Sequence, residues 1–163
     1  MKKFYTQKLA RAGVIAGLYI ALSLITFSFS GGAIQLRISE ALTLLPILYY
    51  EAIPALFIGC LLTNLITGCA LPDVFLGATI TLVCAILTFL FSRLVKKAYL
   101  KIIIGGAFPV LLNAFLLPLI WYYCYGELEY LYIVQVGFLT ASQALSVYVL
   151  GSSMYLGLKK ISV

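Results

Sequence analysis

The sequence predicts an all-α integral membrane protein of six transmembrane helices, with both termini cytoplasmic and a short second span. Three observations lead there. Of 163 residues, 64% are hydrophobic and 10% are charged, where soluble domains run to about half apolar and a quarter charged. The mean hydropathy is +1.13. The apolar stretches are separated by short polar breaks, and the cations gather in alternate breaks. At about 20 apolar residues per crossing, six crossings use roughly 120 residues and leave about 40 for connections. The expectation is therefore a single transmembrane domain over residues 1–163, with no nucleotide-binding or soluble catalytic module.

The spans are expected at about 9–29, 39–50, 55–67, 74–94, 102–124 and 130–158. The first follows Lys2, Lys3 and Lys8 and is closed by Gly31-Gly32. Its basic start resembles a secretory signal, but the apolar run is too long for a signal core and reads as a retained helix. The second, Ser39 to Tyr50, is too short to cross at full thickness unless tilted or shielded. Glu51 and Pro54 break it from the third, which ends at the loop Gly68 to Asp73. The fourth ends in Arg93, Lys96 and Lys97, and the fifth carries Pro109 and Pro118. The turn Tyr125 to Glu129 leads into the sixth, which ends in Lys159-Lys160.

This arrangement sorts the charges. With the N-terminus inside, every Lys and Arg except Arg37 lies on the cytoplasmic side, while Glu40, Asp73, Glu127 and Glu129 lie outside. The opposite orientation violates the positive-inside rule. The net charge of +6 is thereby explained by cytoplasmic loops, and no nucleic-acid partner is expected. The chain has no histidine, which removes histidine metal ligands and histidine general bases. The cysteines Cys60, Cys69, Cys84 and Cys124 lack CxxC spacing and read as buried apolar thiols. No metal and no cofactor is expected.

Some residues need more than a membrane to explain them. Ala12 and Ala16, with Gly13, Gly17 and Ala21, recur at a spacing of four and put small residues on the first helix. Such a stripe allows close helix approach, either within this protein or against a partner. Arg37 stands three residues before Glu40, within reach of it on a helix, as a capping arrangement or as the organiser of a polar cavity. Asn113 and Gln143 lie mid-span, with Gln135 and Asn64 nearer the outside. Carboxamides at depth point inward, to bond one another or to read a planar ligand. The prolines flanking Asn113 free backbone carbonyls beside it. Trp121, Tyr122 and their aromatic neighbours suit the interfacial belt.

Intramembrane catalysis is disfavoured. A Ser-His dyad is impossible without histidine, and the acids are scattered rather than clustered for metal-assisted chemistry. Inverted repeats, the mark of many secondary transporters, are not visible. Binding without an internal energy source remains.

Two stretches carry a family resemblance. They are Gln35-Leu36-Arg37-Ile38-Ser39-Glu40-Ala41-Leu42 with Leu45-Pro46, and Glu51-Ala52-Ile53-Pro54-Ala55-Leu56-Phe57-Ile58-Gly59-Cys60. With Asn113 and Val147-Tyr148-Val149-Leu150-Gly151, the chain resembles the QueT-type queuosine-precursor transporters. These are substrate-binding S components of energy-coupling-factor (ECF) transporters. The resemblance implies a subunit of the bacterial cell membrane that captures a 7-deazaguanine (the aminomethyl or cyano form, or queuine) from outside. A T transmembrane component and two ABC ATPases would drive its release inside, so the chain itself is not expected to be an enzyme. It also implies a ligand site of Gln35, Arg37, Glu40, Asn113 and Gln143, with Tyr122 or Trp121 stacking on the ring. In that reading Arg37 orients Glu40 and Gln35, and the stripe Ala12, Gly13, Ala16, Gly17 faces the partner. Gln143 is a departure, a neutral amide where the family often has an acid. The other readings are an S component for another vitamin or nucleobase-like ligand, and a structural membrane protein without a transport role.

Overall fold

The computed structural model describes residues 2–27, 37–126, 128 and 130–161, and among these it is all-helical. Four stretches are long and apolar enough to cross a membrane: α1 (Lys2–Phe27, apolar from Tyr5), α3 (Leu71–Leu94), α4 (Ala98–Tyr125), and the continuous run Tyr132–Lys160. That last run comprises α5 (Tyr132–Ala144), a π-helical segment (Leu145–Gly151) and α6 (Ser152–Ile161). Between α1 and α3 lie two shorter apolar elements, a 3₁₀ helix (Ile38–Ile47) and α2 (Ala52–Ile66).

The six expected spans thus resolve into four long helices and two short elements. Neither short one reaches the roughly 30 Å of a hydrocarbon core. At the α-helical rise, α2 is about 22 Å long. The 3₁₀ helix gains length from its conformation: ten residues at about 2.0 Å each extend roughly 20 Å, where an α-helix would give about 15 Å. Runs of 3₁₀ beyond three or four residues are uncommon because their hydrogen bonds are poorer. Here Ser39 to Ile47 are all buried, and packing supplies what the backbone geometry gives up.

The 3₁₀ helix and the π segment cross in the core. At Gly151 an added Cβ would sit 2.8 Å from the carbonyl oxygen of Ala41, so only glycine permits this backbone approach. The wide turn of the π segment is stabilised by hydroxyls: Ser152 donates to Tyr148 O, and Ser153 to Val149 O at 2.8 Å. Pro109 removes a donor from α4, and the hydroxyl of Thr88 on α3 takes its place, donating to Gly105 O at 2.7 Å.

The helices alternate in direction, and the two ends of the bundle differ. At the end carrying the start of α1, Arg11 forms an ion pair with Glu51 at 2.8 Å and stacks over Tyr49. Lys8 bonds the Tyr50 hydroxyl at 2.8 Å beside it. Ala12, Ala16, Met154 and Leu158 pack against the core of α2 near this end. At the opposite end, α2 and α4 close on left-handed glycines, Gly68 (φ 74°) and Gly126 (φ 80°). The Gly126 amide returns to Tyr122 O at 2.9 Å, ending α4 so that the chain turns back over the bundle.

Candidate functional site

A cleft of about 390 Å³ opens at the glycine-turn end, within the size range of small-molecule pockets. Tyr19, Ser23, Thr26 and Phe27 from α1 line one side, and Thr63, Asn64 and Thr67 from α2 another. Asp73 enters from the first turn of α3, Trp121 and Tyr125 from the last turn of α4, and Gln135 from the first turn of α5. Arg37, at the start of the 3₁₀ helix, and Leu128 complete it. The polar residues fall at helical spacing: Ser23 with Thr26, and Thr63 with Thr67, each pair one turn apart. Thr63 and Thr67 return their hydroxyl protons to Gly59 O (2.8 Å) and Thr63 O (2.9 Å), so each helix presents a polar face without an unpaired donor.

One part of the cleft is anionic. The Tyr125 hydroxyl donates to Asp73 Oδ2 at 3.2 Å and accepts the Ala70 N–H at 3.1 Å, joining α4 to the α2–α3 turn. The Trp121 indole lies beside the same carboxylate. Arg37 is the cation whose charge acts on both Asp73 and Glu40. Among the described residues it forms no ion pair within 4 Å.

Glu40 is 1% exposed and sits behind Tyr19 rather than on the cleft wall. Its Oε1 accepts from the Tyr19 hydroxyl at 2.9 Å and its Oε2 from Asn113 Nδ2 at 3.2 Å. Both oxygens thus accept a hydrogen bond, one from α1 and one from α4. The Arg37–Glu40 contact that their spacing allows is not made. The Glu40 side chain turns into the bundle toward α1 and α4, while Arg37 turns into the cleft. Nor do the mid-span amides bond each other: Asn113 donates to Glu40, and the buried Oε1 of Gln143 has no partner among the described residues.

The other expected site residues separate. Trp121 lines the cleft, whereas Tyr122 is 53% exposed and does not. Gln35 lies outside the described residues. The stripe on α1 divides in two. Ala12 and Ala16 are half-buried against α2, while Gly13 and Gly17 are exposed, with nothing within 4 Å of an added Cβ. The cleft also recruits Asp73, Tyr125 and Gln135, which the sequence placed near the outside without assigning to a site. Their signal was position: each stands within a turn of a helix end on the same side of the bundle.

Helices long and apolar enough to span a bilayer, wrapped around a polar cleft at one end, define a multi-pass membrane protein. A family model described as the QueT transporter matches residues 9–160, and the chain belongs to the QueT transporter family. Its role is in transport, and the family is one of transporters rather than enzymes. No curated protein and no solved structure matches the chain.

Proposed function

We propose that this protein is the membrane-embedded S component of an ECF-type importer, capturing a queuosine precursor from outside the cell. The ligand class is a 7-deazaguanine, in the aminomethyl or cyano form or as queuine. The observation that carries the reading is the polar cleft of about 390 Å³ in a member of this family, open at the end away from both termini. A ligand there would be flanked by Trp121 and Arg37, with Glu40 and Asn113 bracing the cleft through Tyr19.

In this reading all six helical segments belong to one transmembrane domain of the bacterial cell membrane, with both termini cytoplasmic and the cleft facing outward. The cation distribution supports that orientation, since every Lys and Arg but Arg37 falls on the termini side. In this reading hydrolysis belongs to two ABC ATPases that act through a T transmembrane component. The exposed Gly13 and Gly17 on α1 offer that component a close-packing face.

Two experiments test this. Mass spectrometry of small molecules co-purifying with the protein should return a 7-deazaguanine. Isothermal titration with 7-aminomethyl- and 7-cyano-7-deazaguanine should show saturable binding by the isolated chain. Purification without a deazaguanine and no heat with either compound would overturn the ligand assignment.

A further inference from the structure

Gln135 is 3% exposed, lines the cleft, and its Oε1 has no hydrogen-bond partner among the described residues. A buried acceptor left unpaired is costly, and a turn of the Gln135 amide about its last side-chain bond would bring this sealed oxygen to the adjoining cleft to meet a ligand N–H. Asp73 lines the same cleft and is 5% exposed. The Tyr125 hydroxyl holds its carboxylate in place with Trp121 beside it, and a carboxylate has about four acceptor positions, more than that hydroxyl fills. Arg37 adds five N–H donors to the cleft and no acceptor. The cleft therefore offers two acceptors from α3 and α5 and one strong donor from the 3₁₀ helix. Glu40, the other buried carboxylate near the cleft, is held by Tyr19 and Asn113 behind the wall and does not line it.

We infer that Asp73 and Gln135 read the donor edge of the ligand in this cleft, and that Arg37 meets its carbonyl. The inference rests on the proposed function and assigns the base-reading groups within it. A 7-deazaguanine carries a ring N–H and an exocyclic amine side by side, flanked by a carbonyl. The Asp73 carboxylate accepts from the adjacent donors, a charge-assisted contact. Gln135 Oε1 accepts the remaining amine proton, and the guanidinium donates to the carbonyl oxygen. A carboxylate prefers this donor pair over a ring that lacks the amine, so Asp73 sets selectivity for 2-amino-4-oxo rings.

The test compares 7-aminomethyl-7-deazaguanine with the same compound lacking its 2-amino group, titrated into the full chain in detergent. The wild-type protein should prefer the amino compound by about 10- to 100-fold. Asp73→Asn should reduce that preference to within about threefold while the protein keeps its elution profile and melting temperature. Gln135→Leu should weaken the amino compound about tenfold and the other compound less. Retention of the wild-type preference by both variants would overturn the assignment and leave the proposed ligand class standing. No wild-type preference between the two compounds would overturn it as well, even if Asp73→Asn fails to fold. Binding of neither compound to the wild-type protein would defeat the proposed function, and this assignment with it.

Discussion

The hydroxyl of Tyr19 donates to Glu40 Oε1 across 2.9 Å, joining a residue of the cleft wall to a carboxylate sealed behind it. With Asn113 on the other oxygen, the contact ties α1, the 3₁₀ helix and α4 to one group. A buried charge is tolerated only when it is hydrogen-bonded, and removing one partner exposes the penalty. Tyr19→Phe should therefore destabilise the protein by about 1–3 kcal/mol. The same change in a Glu40→Leu background should cost much less, because no carboxylate remains to be satisfied. Melting temperatures of the single and double variants in detergent measure the coupling, and additive losses would show that the contact is not a unit.

The interior of this bundle was only partly legible in the sequence. Hydropathy marked out the long helices, because a bilayer-length apolar run has few other uses, but not their ends: α1 already begins at Lys2, ahead of its apolar run. It could not reveal that residues 38–47 form a 3₁₀ helix or that residues 145–151 form a π segment. Both conformations answer tertiary demands: the first stretches a short segment, and the second widens where Gly151 passes Ala41. Asn113 and Glu40 stood out as polar residues in apolar surroundings, yet nothing in their spacing showed that they bond each other across 73 residues. Arg37 and Glu40 show the reverse. Local spacing suggested a pair, and the opposed directions of their side chains prevent it.

Gly151 provides a second test. An added methyl would lie 2.8 Å from Ala41 O and 3.1 Å from a Leu44 methyl, and a backbone carbonyl cannot swing aside as a side-chain end can. Gly151→Ala should force the 3₁₀ helix and the π segment apart and cost about 1–3 kcal/mol, as overpacking does. Gly157→Ala, with nothing within 4 Å of its Cβ, serves as the control and should be neutral or slightly stabilising. Equal melting temperatures for the two variants would contradict the close crossing.

The ion pair at the far end is asymmetric. Arg11 has 44% of its side chain exposed, against 8% for Glu51. Arg11→Ala strands a nearly buried carboxylate, whereas Glu51→Ala leaves a guanidinium that still reaches water and the Tyr49 ring. The arginine variant should therefore lose more stability than the glutamate variant. Urea or thermal unfolding of both variants at low salt decides the order, and a larger loss for Glu51→Ala would mean that the pair is held mainly by the cation's contacts.

Orientation is open to direct labelling. In a background with Cys69 and Cys124 replaced by Ser, Lys97→Cys should be protected from an impermeant thiol reagent in intact cells, and Leu131→Cys, at a position 78% exposed on the other side of the bundle, should react. Disruption of the cells should expose both. Reaction at position 97 from outside would invert the topology and turn the cleft toward the cytoplasm.

The surface of α1 offers the sharpest separation between internal packing and an external partner. Ala12 and Ala16 are half-buried against the core that α1 shares with its neighbours, so enlarging either pushes the protein's own helices apart. Gly13 and Gly17 lie one turn apart with open space above each Cβ. A side chain placed there disturbs nothing within the chain. Gly17→Leu should therefore leave melting temperature and ligand binding by the isolated protein within experimental error, while uptake by cells expressing the transporter falls at least tenfold. Ala16→Leu should instead lower the melting temperature, and any loss of uptake would follow from that. The contrast depends on one turn of one helix: a partner that packs closely against α1 requires a bare surface at the glycines, where the backbones can approach and dispersion contacts accumulate. Undiminished uptake by Gly17→Leu would place the partner on another face of the protein.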